Sequence, residues 1–106
     1  MKSFAAGFVL MSLFLSGAYA ASGHVVTQSG KKFSVKKMTV SVGDVITFVN
    51  DDKMVHNIHT LTPGFEFDLG AQKPGEKSEV SFSQPGKLKV RCAIHPKMKI
   101  KVTVEG

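Results

Sequence analysis

The stretch KKFSVKKMTVSVGDVITFVN, residues 31–50, decides the fold class of this chain. Apolar and polar residues alternate along FSV, along MTVSV and again along VITFVN. A period of two places the apolar side chains on one face of an extended strand. The glycine and aspartate that separate the last two runs are typical of a turn. The stretch therefore predicts consecutive strands that each bury one face, with an irregularity at Lys36 and Lys37.

The remaining chain repeats this pattern. The further strand-like runs are HVVTQ (24–28), VHNIHTL (55–61), FEFDLG (65–70), KSEVSFS (77–83), KLKVRC (87–92) and MKIKVTVEG (98–106). No stretch shows the apolar spacing of an amphipathic helix. Short strands with a turn signal about every ten residues are typical of an antiparallel sandwich. We therefore expect one all-β domain, an antiparallel β-sandwich of seven to eight strands.

The N-terminal segment over residues 1–20 is typical of an export signal. Lys2 precedes an apolar run over residues 4–15, and SGAYA then places small residues at positions 18 and 20. This spacing suits a signal peptidase, so we expect cleavage after Ala20, a mature domain over residues 21–106 and a periplasmic location. The apolar run is too short to span a bilayer, and no later run is long enough, so we expect no membrane span after cleavage.

The charge balance is basic. The formal net charge is +6, from 14 lysine and arginine residues against 8 aspartate and glutamate residues. The lysines are spread along the predicted strands, without the interleaved aromatic residues that are typical of nucleic-acid-binding surfaces. We therefore expect no nucleic-acid partner. The charge is consistent with a solvated lysine surface or with a positive face that attracts an acidic partner. We expect a monomer.

The segment RCAIHPKMK, residues 91–99, contains the only cysteine. Cys92 ends one predicted strand and Met98 begins the next, so Cys92, His95 and Met98 share one tight loop. A thiolate, an imidazole and a thioether suit copper, because soft sulfur favours Cu(I) and imidazole binds both oxidation states. Copper sites of this type use two histidines and one cysteine, with a long axial methionine contact. A second histidine must therefore come from elsewhere in the chain.

The candidates for the second histidine are His24, His56 and His59. His56 and His59 both belong to the run VHNIHTL, where their odd separation places them on opposite faces of a strand. Only one of them can then point towards the cysteine loop. Alternation alone does not distinguish the two.

The pairing of HNIH (56–59) with CAIHPKM (92–98) resembles the cupredoxins, the small blue type 1 copper proteins. The short gap between the histidine and the methionine is most similar to that of the amicyanin branch, and the resemblance to amicyanin- and plastocyanin-like members covers nearly the whole mature chain. It implies a Greek-key β-sandwich. It also implies one copper ion with the ligands His56, Cys92, His95 and Met98. Asn57 matches the family's asparagine that joins the two ligand loops by hydrogen bonds.

The resemblance implies a one-electron carrier, not an enzyme, that serves redox partners such as a c-type cytochrome or a dehydrogenase. Storage or delivery of copper with the same ligands is the alternative, although the chain lacks methionine-rich tracts. A hydrolase with Cys92 as nucleophile and His56 as base is a further alternative, but it leaves Met98 without a role.

Two positions depart from the related proteins. Ile94 stands where amicyanin- and plastocyanin-like proteins have proline, so it retains an N–H group that can donate a hydrogen bond. We expect this amide to reach the sulfur of Cys92 and to raise the reduction potential. Arg91 replaces an aromatic residue that the partners of plastocyanin use, which argues against docking of the plastocyanin kind.

Overall fold

The structure is a computed structural model that describes residues 22–106. The predicted signal peptide over residues 1–20 lies outside this range. The described strands are β1 (Gly23–Ser29), β2 (Lys32–Phe33), β3 (Lys37–Ser41), β4 (Val45–Asn50), β5 (Ile58–Thr60), β6 (Phe67–Asp68), β7 (Lys77–Val80), β8 (Gly86–Cys92) and β9 (Lys99–Glu105). Across residues 22–106 no helix is long and apolar enough to cross a membrane.

The strands form two sheets that pack as a sandwich. The first sheet has the order β3-β9-β8-β5-β6, and the second has the order β2-β1-β4-β7. The predicted all-β sandwich is confirmed. Two strand pairs differ from the expected antiparallel pairing, because β9 runs parallel to β3 and β4 runs parallel to β1.

The parallel pairs follow from the way the chain changes sheet. Residues 34–36 connect β2 in the second sheet to β3 in the first, which accounts for the irregularity predicted at Lys36 and Lys37. After β3 the chain turns at Gly43 and returns to the second sheet as β4. Because β3 lies in the other sheet, β4 enters beside β1 in the same direction.

Alternate apolar residues fill the space between the sheets. Along β9, Ile100, Val102 and Val104 are buried, while the intervening side chains are exposed or half-buried. Phe48 of β4 is fully buried and meets Phe33 edge-to-face, with ring centroids 6.3 Å apart. Burying a side chain of this kind contributes about 1.5–3 kcal/mol relative to leaving it exposed. The core therefore forms from the period-two pattern seen in the sequence.

Strands β8 and β5 bring together the two segments that carry the predicted ligands. Their antiparallel register aligns Cys92 with Ile58 and Arg91 with His59. Residues 56 and 57 directly precede β5, so they lie beside the loop that follows Cys92.

Gly86 begins β8 at a position that excludes a side chain. Its φ is +152°, and a β-carbon there would lie 2.6 Å from Cζ of Phe65. The Phe65 ring packs against Phe82, with centroids 5.9 Å apart. We predict that Gly86→Ala lowers the free energy of unfolding by about 1–3 kcal/mol, because the ring must move and the backbone is strained. Chemical denaturation measures this change.

Gly23→Ala in β1 is the matched control, because nothing lies within 4 Å of a β-carbon at that position. We expect this variant to retain the stability of the parent chain. Equal losses in the two variants would contradict the prediction.

Candidate metal centre

Three of the predicted ligands come together at one end of the sandwich. Nδ1 of His56 lies 3.6 Å from Sγ of Cys92, and Nδ1 of His95 lies 3.8 Å from the same sulfur. The two Nδ1 atoms are 3.1 Å apart. All three atoms lie within 4.8 Å of one another, a spacing at which they can share one metal ion.

The loop over residues 93–98 is closed by its own backbone. Cys92 is the last residue of β8, as predicted. Its N–H group donates to the carbonyl of Met98 at 3.2 Å, and the N–H group of Met98 donates to the carbonyl of His95 at 2.9 Å. Met98 is 3% exposed, so its thioether is shielded from water. The two bonds fix the positions of these three residues relative to one another.

The other two histidine candidates lie outside this cluster. His24 in β1 donates from Nε2 to Oδ2 of Asp44 at 2.9 Å. His59 lies on the half-buried face of β5, whereas His56 is fully buried on the opposite face of the same segment. Neither His24 nor His59 belongs to the metal-competent group found within residues 22–106. The structure therefore places His56, and not His59, beside Cys92 and His95, a choice that strand alternation alone did not make.

Asn57 joins the two ligand segments, as the resemblance implies. Its N–H group donates to Sγ of Cys92 at 3.3 Å, and its carbonyl accepts the N–H group of Ala93 at 2.8 Å. Its side-chain Nδ2 donates to Oδ1 of Asp68 at 2.7 Å, and this bond lowers the pKa of that carboxyl group. The connection between the loops is thus made by the backbone, while the amide side chain anchors the residue to β6.

The structure does not contain the bond expected from Ile94. Among the described residues, the backbone amide that donates to the sulfur of Cys92 is that of Asn57, and no bond from Ile94 is found. The side chain of Ile94 is 51% exposed. The expected effect of Ile94 on the reduction potential therefore has no structural basis here.

Asp52 is a residue of the site that the sequence analysis missed. Its Oδ2 atom accepts a hydrogen bond from Nε2 of His56 at 2.9 Å and another from the N–H group of Lys31 at 2.9 Å. The Lys31 amide and the His56 ring lower the pKa of Asp52 far below its usual value, so the group is a carboxylate. Because Nε2 carries the proton, Nδ1 of His56 presents its lone pair to Cys92 and His95.

Buried amide side chains support the segment of His56 from behind. His56 and Gln72 exchange two backbone hydrogen bonds, of 3.0 and 2.7 Å. Nδ2 of Asn50 donates to the carbonyls of Gln72 and Met54, and Nε2 of Gln28 donates to Oε1 of Gln72 at 2.6 Å. Gln28, Asn50 and Gln72 are all at most 2% exposed. These bonds hold the histidine segment in one position, and among the described residues Oε1 of Gln28 is the buried side-chain oxygen left without a partner.

The donor set fits copper. Two imidazoles and one thiolate around a shared position, with a buried thioether on the same loop, match the ligands of trigonal copper sites with a weak axial methionine. Cys92 is 1% exposed and His56 is fully buried, so solvent competes poorly for their ligand atoms. His95 is half-buried, and it is therefore the ligand nearest to the surface.

A β-sandwich with this donor set on two adjacent loops defines a cupredoxin. The family of copper-binding proteins described as plastocyanin/azurin matches residues 21–105. The chain belongs to this family, and its cofactor is copper.

Two relatives and two solved structures illustrate the similarity. Amicyanin from Paracoccus denitrificans is 32% identical over 95 residues, which cover 85% of this chain and 72% of that protein. Methylamine utilization protein MauL from Methylorubrum extorquens is 27% identical over 106 residues, which cover 91% of this chain and 93% of that protein. The structure of a reduced tryptophan-to-tyrosine variant of amicyanin has a TM-score of 0.73 at 28% identity, over 85% of this chain and 87% of that one.

A copper-containing nitrite reductase from Thermus scotoductus gives a TM-score of 0.73 at 25% identity. The match covers 79% of this chain but only 22% of the length of the enzyme. Together with the family, the amicyanin and MauL relatives support a blue copper electron carrier.

We predict that Asp52→Asn raises the reduction potential by several tens of millivolts. The carboxylate makes the His56 imidazole more electron-rich, which stabilises Cu(II) more than Cu(I). Its loss also weakens Cu(II) binding about tenfold. Protein-film voltammetry and competition with a Cu(II) chelator measure the two effects.

Asp51→Asn is the matched control, because it removes the same charge from the neighbouring position. No hydrogen bond of the Asp51 side chain is found within the described range, so we expect little change in potential. A shift of the same size in both variants would show that the reduction potential responds to net charge alone and not to the hydrogen bond between Asp52 and His56.

Proposed function

We propose that the protein carries single electrons between redox partners in the periplasm. One copper ion would be held by His56, Cys92 and His95, with the Met98 thioether as a fourth ligand. The observation that carries this proposal is the convergence of two imidazole nitrogens and one thiol sulfur within 4.8 Å, on segments fixed by strand pairing.

The copper ion supplies a one-electron couple between Cu(I) and Cu(II), and the chain holds ligands that serve both states. The Asn57 amide donates to the Cys92 sulfur and so stabilises negative charge on it. Asp52 fixes the ring of His56 through Nε2. Ligands held by strands and hydrogen bonds move little when the charge of the metal changes, and a small rearrangement favours fast electron transfer.

His95 is the route by which electrons enter and leave. It is half-buried, whereas Cys92, His56 and Met98 are buried. Ile94 and Pro96, its two neighbours in the chain, are exposed. They offer exposed apolar surface next to His95 in the chain, which a redox partner can contact without desolvating charge.

The partners are a dehydrogenase that donates electrons and a c-type cytochrome that accepts them. The amicyanin resemblance implies these classes, and the name of the second relative links it to methylamine utilization.

The export signal predicted at residues 1–20 supports a periplasmic location. Burial of Cys92 and His56 favours retention of the metal over its delivery, which supports electron transfer over copper transport.

The ligand set is tested by the absorption spectrum of the Cu(II) protein. We predict an intense sulfur-to-copper charge-transfer band in the orange-red region. Cys92→Ser keeps the size of the side chain but lacks the thiolate, so we expect the band to disappear.

His59→Gln is the control for the choice between the two neighbouring histidines. His59 lies on the face of β5 opposite to His56, so we expect this variant to retain the full intensity of the band. His56→Gln should lose most of it. The reverse result would assign the second imidazole to His59 and overturn the proposed ligand set.

A further inference from the structure

On the outer surface of the first sheet, three adjacent strands carry a concentration of positive charge. Strands β3, β9 and β8 are adjacent in that sheet, and alternate residues of each point to solvent. Six of these outward positions hold cations, which together define the basic face: Lys37, Lys87, Lys89, Arg91, Lys99 and Lys101. Glu105 is the only acidic residue of the three strands, and it lies at the far end of β9.

The register of the strands places these cations directly opposite one another. Lys101 of β9 lies between Lys37 of β3 and Lys89 of β8, and Arg91 lies opposite Lys99. Like charges in directly opposed positions destabilise a sheet. Within residues 22–106 the ion pairs found are those of two histidines, and none involves a lysine or an arginine. The repulsion is therefore not offset inside the described part of the chain.

The second sheet shows that this pattern is not a general property of the surface. The outward residues of β4 are Val45, Thr47 and Val49, and across from the last two lie Glu79 and Lys77 of β7. On that face the outward residues of β4 carry no charge, and the edge strand β7 carries one acidic and one basic residue, Glu79 and Lys77. The excess positive charge is thus concentrated on one side of the sandwich.

The basic face leads directly to the metal centre. Arg91 precedes Cys92 at the end of β8, and Lys99 follows Met98 at the start of β9. A molecule seated on this face therefore lies against the strand that ends at Cys92 and the strand that begins directly after Met98.

We propose that the basic face is the docking surface for a redox protein that presents an acidic surface. This inference rests on the proposed electron-carrier function and names the partner's chemistry. Opposite charge speeds diffusional encounter and fixes the orientation of the complex. The exposed large apolar residues of the described chain all lie outside β3, β8 and β9. Surfaces that bind membranes combine basic residues with such apolar anchors, so an acidic protein fits the face better than a lipid surface does.

The test measures binding of poly-L-glutamate to the Cu(I)-loaded protein by amide chemical shifts at low salt. We expect the shifts to fall on β3, β8 and β9 and to vanish when the salt concentration is raised. Lys101→Glu inverts the central charge of the basic face, so we expect affinity to fall at least about fivefold. Lys77→Glu makes the same change in net charge on the other sheet, and we expect less than about a twofold change.

Thermal unfolding separates lost binding from lost folding. Lys101→Glu places a carboxylate between Lys37 and Lys89, so we expect the melting temperature to rise while the affinity falls. Lys77→Glu faces Val49 across the sheet and should leave the melting temperature nearly unchanged. A lower melting temperature for Lys101→Glu would overturn the claim that repulsion in this row is uncompensated.

Two binding results would overturn the docking proposal. Equal losses for Lys101→Glu and Lys77→Glu would mean that only net charge matters. Tighter binding to phosphatidylglycerol vesicles than to poly-L-glutamate would identify a membrane-binding face. The assay involves no electron transfer, so failure here leaves the charge-transfer spectrum intact, whereas a colourless Cu(II) protein would refute the proposed function without affecting this assay.

Discussion

The metal centre depends on the hydrogen bonds that join the segment of His56 to the loop after Cys92. The amide of Asn57 donates to the cysteine sulfur, and the carbonyl of Asn57 accepts the amide of Ala93. The backbone bond from Ala93 to Asn57 continues the antiparallel pairing of β5 and β8 past the ends of the strands, and the bond to the sulfur ties the ligand itself to that pairing. Without them, the two imidazoles would belong to independent loops. With them, the positions of the ligands follow from the register of the sheet.

The two histidines of the cluster have different surroundings and different roles. His56 is buried, bonded to Asp52 through its ring, and bonded to Gln72 through its backbone. His95 lies on the closed loop and reaches the surface. In the proposed function, one histidine therefore anchors the metal to the core and the other gives redox partners access to it. The basic face has a separate role, because its charges orient an approaching partner protein without contacting the copper ligands.

Local patterns predicted the strands, whereas long-range pairing decided what the sequence analysis missed. The run VITFVN matches β4 residue for residue, and Cys92 ends β8 as expected. The parallel pairs arise from a change of sheet that no local period encodes. The choice of His56 required the family resemblance, because alternation is symmetric between faces. Asp52 stands four residues before His56, but only the folded loop shows that its carboxylate reaches the ring.

The most direct test of this account is the electron paramagnetic resonance spectrum of the native-sequence protein loaded with one equivalent of Cu(II). The account predicts the narrow copper hyperfine splitting of a site in which a thiolate shares the unpaired electron, since Cys92 lies among the two imidazoles. A wide splitting, typical of tetragonal Cu(II) bound by nitrogen and oxygen alone, would contradict it. That result would mean that Cys92 is not a ligand and that the cluster is not a blue copper site.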